Sequence, residues 1–122
     1  MNREILFRGK RIDDNEWIYG FIFKQDEKLG IQTSNVLAYE VIPETIGQYT
    51  GLTDKNGKKI FEGDKVKAKF FGKDVNGEIG FNSGCFLLWN SCVSDNQLFI
   101  FTDIEVIGNI FDKEVKDVNT TN

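Results

Sequence analysis

Residues 47 to 66 constrain the fold most, because four glycines divide this segment into pieces that are each too short for anything but a turn or a short strand. Asn56-Gly57 is a dipeptide preferred in two-residue hairpin turns, whose central residues both adopt positive φ. Gly63-Asp64 indicates a second tight corner in front of an alternating strand. The segment therefore predicts a turn, a short strand, a turn and a strand. We assign the turn-forming role to Gly47, Gly51, Asp54, Gly57, Glu62, Gly63 and Asp64.

Apolar alternation predicts short strands before this segment. Ile5–Arg8 and Trp17–Phe23 have the pattern of a hairpin, and a third strand is expected at Leu29–Thr33. Val36–Ile42 is expected to be extended until the only proline, Pro43, ends it, and Pro43–Ile46 is long enough for one helical turn.

After the segment, the period-2 pattern continues. Val66, Ala68 and Phe70 are expected to face a core while the intervening lysines face water, as in a half-buried antiparallel strand. Four further strands at roughly ten-residue spacing are typical of a small barrel or sandwich. These strands are predicted at Gly77–Phe81, Cys85–Asn90, Gln97–Phe101 and Ile104–Phe111.

The expected fold is mainly β with little helix: an N-terminal β-meander packed on a C-terminal SH3-like small barrel. The chain has 122 residues, the size of one domain, and no Pro/Gly/Ser-rich linker divides it. We therefore predict a single domain over 1–122, with the meander and turn motif at 1–62, a barrel-like half at 63–112 and a mobile tail at 113–122. An aromatic load that includes eleven Phe supports the β assignment.

Composition excludes several classes of function. Without histidine the chain has no His-dependent triad, and Cys85 and Cys92 alone cannot complete a zinc site. Asp54-Lys55-Asn56 begins like a calcium loop, but lysines occupy the later ligand positions. We predict no enzyme activity, no cofactor and no metal. No apolar run approaches the ~20 residues that span a bilayer and no signal peptide is seen, so a cytoplasmic location without membrane contact is expected.

The charges are unevenly distributed. Residues 55 to 73 contain seven lysines and two carboxylates, whereas the whole chain carries a net charge of −4. Lysines interleaved with Phe70 and Phe71 are one way to hold nucleic acid, but the overall pI of about 4.8 opposes attraction to a polyanion. The candidate nucleic-acid-binding residues are Lys65, Lys67, Lys69 and Lys73.

Aromatic side chains are the candidate anchors of a protein interface, because they concentrate binding energy at such surfaces. Trp17, Tyr19 and Trp89 fit this role and equally fit a core. Gln48 and Tyr49 are also protein-binding candidates, because both are expected on a loop that a rigid scaffold places. The same uneven charge favours contact between subunits or with an acidic protein.

Residues 41 to 66 match the pattern V-x-P-x-T-x-G-Q-Y-T-G-L-x-D-x-x-G-x-x-I-x-E-G-D-x-V. By this pattern the sequence resembles the YopX family of small phage and prophage proteins, and the ends of the chain, around Arg8 and Val106–Phe111, are also similar. The resemblance implies phage origin and self-association, and it supplies no catalytic residues.

Three hypotheses of function follow. The first is a phage or prophage accessory protein that acts without catalysis in the bacterial cytoplasm, through self-association and contacts with a host or phage protein. The second is a nucleic-acid-binding regulator that uses the lysine-rich strand. The third is a carboxylate-dependent enzyme, which requires several of Glu40, Glu44, Asp54, Glu62 and Asp64 to converge.

Overall fold

The structure is a computed structural model, and it describes residues 4–82, 84–90 and 96–112. These residues are mainly β, as predicted, and they form two antiparallel sheets and two single turns of 3-10 helix. The described residues contain no helix of the length and hydrophobicity that spans a membrane. The predicted mobile tail and Cys92 lie outside the described residues.

Two compact units divide the chain, and the first consists of residues 1–53 and 59–62. Its six-stranded sheet has the order β4-β3-β2-β1-β5-β6, so the predicted meander β1 to β4 is present and β5 returns beside β1. A 3-10 turn at Pro43–Thr45 occupies the predicted helical turn. The strands are β1 (Phe7–Lys10), β2 (Trp17–Gln25), β3 (Lys28–Gln32), β4 (Ala38–Glu40), β5 (Gly47–Thr53) and β6 (Lys59–Phe61).

The second unit consists of residues 54–58 and the chain from Gly63 onward. Its five-stranded sheet has the order β10-β9-β8-β7-β11. Among the described residues, no strand pair joins the two edge strands into a closed barrel. The strands are β7 (Asp64–Phe70), β8 (Lys73–Asn82), β9 (Cys85–Trp89), β10 (Asn96–Gln97) and β11 (Thr102–Asn109).

Each unit has its own buried apolar side chains. In the second unit the period-2 prediction for β7 is confirmed for Val66 and Ala68, which are buried, while Phe70 is partly exposed and packs on Phe101. The two cores consist of Ile31, Val41, Tyr49, Ile60 and Phe61 in the first unit, and of Val66, Ala68, Ile79, Leu87, Leu88, Leu98 and Phe101 in the second.

Three local predictions were wrong. Gly47–Thr53 is a strand and not a turn, because it pairs with both β1 and β6. Of Asn56-Gly57, only Gly57 has positive φ, because a five-residue loop replaces the two-residue turn. The strand predicted at Gln97–Phe101 ends after Gln97 and continues as a 3-10 turn at Leu98–Ile100, which buries Leu98.

That the chain folds as a single domain stays a prediction, and its two tryptophans can test it. Trp17 lies in the first unit and Trp89 in the second. We expect the variants Trp17→Phe and Trp89→Phe to give fluorescence unfolding curves in urea with the same midpoint, because one cooperative domain loses both units together. Both midpoints are compared with circular dichroism of the same variants, and separate midpoints would show two domains.

Candidate functional site

Four aromatic residues alternate along β2 and therefore share one face of the first sheet. This aromatic row consists of Trp17, Tyr19, Phe21 and Phe23. Tyr19 is 47% exposed and Phe21 is 59% exposed, whereas Trp17 and Phe23 are half-buried. A strand interior that leaves two adjacent aromatic rings this exposed offers a surface for binding.

Beside the row, on β1, a buried arginine is enclosed by aromatic rings. The Arg8 guanidinium carbon lies 4.4 Å from the ring centre of Trp17 and 4.9 Å from that of Phe61. Its Nη2 donates a hydrogen bond to the carbonyl oxygen of Glu62 at 3.3 Å. These contacts compensate the charge of a side chain that is only 5% exposed, and they fix the position of Trp17.

Phe61, which contacts this arginine, also packs against Tyr19 and Tyr49. Its ring centre lies 5.5 Å from that of Tyr19 and 5.6 Å from that of Tyr49. The predicted candidates Trp17 and Tyr49 thus belong to one cluster, although Tyr49 is buried on β5 and not on a loop. Gln48 is half-buried, and its backbone N–H donates to Glu62 Oε1 at 3.3 Å.

Two grooves border the aromatic row. The larger has a volume of about 490 Å³ and runs beside Tyr19 and Phe21 along residues 32–35. The smaller, of about 300 Å³, is lined by Phe23, Gln25, Asp26, Lys28, Leu29 and Glu40. Both are open, and their walls are mixed apolar and polar.

Trp89, the fourth predicted anchor, belongs to the second unit and is 44% exposed. Its ring covers the backbone of Gly80, since a Cβ built on that glycine would lie 2.6 Å from the ring. Trp89 therefore packs on the sheet of its own unit.

The predicted lysine stripe occupies one face of β7, where carboxylates accompany it. Cross-strand pairing places Lys65 opposite Glu78, Lys69 opposite Asp74, and Lys67 opposite Glu105. Lys67 and Lys69 line a groove of about 460 Å³ together with Asp74, Asp103 and Glu105. The stripe is consequently a surface of alternating charge and not a basic patch.

Two ion pairs lie within this groove. Lys69 Nζ lies 2.6 Å from Asp74 Oδ1, and this hydrogen bond and charge raise the pKa of Lys69 and lower the pKa of Asp74. Lys55 Nζ lies 3.6 Å from Glu105 Oε1. Lys73 stands apart, exposed at the β7–β8 hairpin, where it pairs with Phe70.

In the turn motif, Asp54 organises the loop that carries Gly57. Its Oδ1 accepts the backbone N–H groups of Asn56 and Lys58, and its Oδ2 accepts that of Val106, each at 2.9 Å. Burial raises the pKa of Asp54, but these three hydrogen bonds and the charge of Lys58 outweigh burial, and the net pKa is lowered. Asp54 is thus a structural carboxylate that attaches the loop to β11.

The glycines of the motif also serve the backbone. Gly51, Gly57 and Gly63 have positive φ, and Gly47 approaches the carbonyl of Glu62 so closely that a Cβ would lie 2.6 Å from that oxygen. Asp64 is 2% exposed. Within the described residues, no group of three or more His, Cys, Asp or Glu side chains is placed to hold a metal ion.

Comparison with known proteins agrees with this motif. The family model described as YopX protein matches residues 4–114. The chain belongs to the YopX family. The matched residues include the aromatic row, the lysine stripe and the turn motif. A search of curated proteins finds no match.

Sequence reasoning missed two residues of this YopX-family cluster. Arg8 was used only as part of the family resemblance, and Phe61 was assigned no role. In the structure, these two side chains contact Trp17, Tyr19 and Tyr49. A single arginine at the start of a predicted strand gives no signal of burial. Only the pairing of β1 with β2 and β5 brings its aromatic neighbours around it.

Proposed function

We propose that this YopX-family protein acts without catalysis, through protein contacts and self-association, and that the aromatic row of β2 is the contact surface. The observation that carries the proposal is the exposure of Tyr19 and Phe21 side by side on one sheet face. Exposed aromatic pairs of this kind are typical anchors, because they bury much apolar area while losing little side-chain entropy.

The side chains beside the row support the same function. Arg8 packs on both Trp17 and Phe61, and Phe61 packs on Tyr19, so the surface residue Tyr19 is held by neighbours on the same sheet face. A preformed surface loses less entropy on binding than a mobile one. The grooves beside the row offer space for side chains of the partner.

Further parts of the proposal rest on the family and the topology. We propose phage or prophage origin, action in the cytoplasm of the bacterial host, and a second copy, a phage protein or a host protein as partner. For the second unit we propose an SH3-like arrangement. The return of β11 beside β7 supports it, because the last strand of the unit then pairs with its first strand.

Nucleic-acid binding through Lys65, Lys67, Lys69 and Lys73 is the second candidate. The exposed Lys67 and Lys73 favour it. The carboxylates opposite Lys65, Lys67 and Lys69 oppose it, because they repel phosphate groups at the same positions. Carboxylate catalysis is third, since both oxygens of Asp54 already accept backbone hydrogen bonds.

The replacement Phe21→Ser tests the main proposal. We expect it to weaken self-association at least tenfold, because an anchoring aromatic ring contributes about 2 kcal/mol to an interface. Weight-average mass is measured by light scattering over a concentration series. Ile12→Ser, at a residue that is 47% exposed in the β1–β2 loop, is the matched control and should leave the mass unchanged. A monomeric native protein at all concentrations would refute self-association.

A further inference from the structure

Phe71, at the tip of the β7–β8 hairpin, is 84% exposed. It forms the two-residue turn with Gly72 between the paired residues Phe70 and Lys73. Phe71 has φ of 49° and Gly72 has φ of 82°, as in a type I′ turn. Asparagine or glycine is preferred at the first of these positions, and a bulky residue is strained there.

Folding therefore gives no reason for a phenylalanine at this tip. Its ring contacts only Phe70 among the aromatic residues described, at 4.6 Å between ring centres, and it remains in water. Backbone strain and apolar exposure in one residue point to a binding role. Lys73 lies two residues further along, so the tip combines an apolar ring with a positive charge.

A groove that complements the hairpin tip in shape and charge lies at the end of the aromatic row. Phe23, Gly30 and Glu40 form one cross-strand line, and the Phe23 ring lies directly over Gly30. The groove there has a volume of about 300 Å³, with Phe23 and Leu29 as apolar walls and Asp26 and Glu40 as exposed carboxylates beside Lys28. A cavity of about 150 Å³ holds benzene, so this groove accommodates one phenyl ring.

We propose that the hairpin tip of one copy docks in this groove on a second copy, with Phe71 between Phe23 and Leu29 and with Lys73 near Glu40. The inference rests on the proposed self-association and names its two surfaces. The argument for a second copy is complementarity of shape and charge between two parts of one chain. Because tip and groove are different surfaces, the contact is head-to-tail, and each copy offers one of each.

The replacement Phe71→Asn separates binding from folding. Asn-Gly suits the type I′ turn, so we expect the melting temperature to rise by about 3 °C. Self-association, measured by sedimentation of the full chain at ~0.15 M salt, should weaken about thirtyfold because the ring is lost. Val36→Ser, at a residue 87% exposed in another loop, is the matched control and should change neither association nor the hairpin.

Reversing the charges of Lys73 and Glu40 tests whether the hairpin tip docks in this groove. Lys73→Glu and Glu40→Lys should each weaken association about fivefold, and an equimolar mixture of the two variants should associate more strongly than either alone. Unchanged association of Phe71→Asn, or no recovery in the mixture, would overturn the inference while leaving the proposed function intact. A monomeric native chain would overturn both. Phe71-dependent binding of a single-stranded oligonucleotide without Phe71-dependent self-association would also overturn the inference.

Discussion

Asp54→Ala is expected to lower the free energy of unfolding by about 3 kcal/mol. The substitution removes the acceptor of three backbone N–H groups, those of Asn56, Lys58 and Val106. Asp54 is 7% exposed, so water does not readily replace it, and each unsatisfied buried donor costs about 1–3 kcal/mol. Urea unfolding followed by circular dichroism measures the change.

Two control variants test whether the loss comes from the hydrogen bonds that Asp54 accepts. Asp13→Ala changes an aspartate whose side chain is 83% exposed, and we expect a change within about 0.5 kcal/mol. Asp54→Asn keeps one acceptor oxygen, so its loss should be smaller than that of Asp54→Ala. A loss for Asp54→Ala as small as that of the exposed aspartate would contradict the anchoring role.

The contribution of Asp54 to the free energy of unfolding is expected to depend on pH. The folded pKa of Asp54 lies below 3.8, so its ionised form contributes full stability above the unfolded pKa of about 3.9. That contribution is lost as the pH falls through the lowered pKa of the folded state. The stability difference between the native protein and Asp54→Asn should therefore shrink in this acid range, and a constant difference would show that charge plays no part.

Gly47→Ala is expected to cost about 3 kcal/mol, the upper range for inserting a methyl group into a packed site. The new Cβ would lie 2.6 Å from the carbonyl oxygen of Glu62, and backbone cannot rotate away as a side chain can. The substitution would therefore separate the start of β5 from the end of β6, where Glu62 N–H donates to the Gln48 carbonyl oxygen. Thermal unfolding of the variant measures the cost.

Gly108→Ala is the matched control for this substitution. Nothing lies within 4 Å of a Cβ at Gly108, and its φ is not in the left-handed region. We expect a change below about 0.5 kcal/mol. Equal losses for the two alanines would contradict a cost from the close approach to Glu62, because the lower backbone entropy of alanine in the unfolded chain favours the folded state at both positions.

Local pattern predicted the β-strands well, because alternation and turn residues act over a few neighbours. The meander of β1 to β4, the single turn after Pro43 and the buried face of β7 all follow from sequence spacing. The turn motif was harder, since Asn56-Gly57 suits a two-residue turn as well as the longer loop. Asp54 favours the longer loop, because its Oδ2 accepts a hydrogen bond from the backbone N–H of Val106, 52 positions further along the sequence.

The candidate site was predicted only in part for the same reason. Trp17, Tyr19 and Tyr49 were recognised as anchors by residue type, but whether each is buried depends on which strands pair. Tyr49 became core because β5 lies between β1 and β6. Phe71 was noted only as part of a basic stretch, and its exposure at a strained turn requires the β7–β8 register.

The amino-acid order alone determined an antiparallel β protein of the YopX family, because strand period, turn residues and the family motif are all local properties of the chain. Tertiary structure decided which charges are neutralised and which aromatic rings are covered. Lys65, Lys67 and Lys69 face carboxylates, and Arg8 is enclosed by rings, only because residues distant in sequence become neighbours across paired strands. Side-chain environment is set by strand register, and register is fixed by the whole sheet.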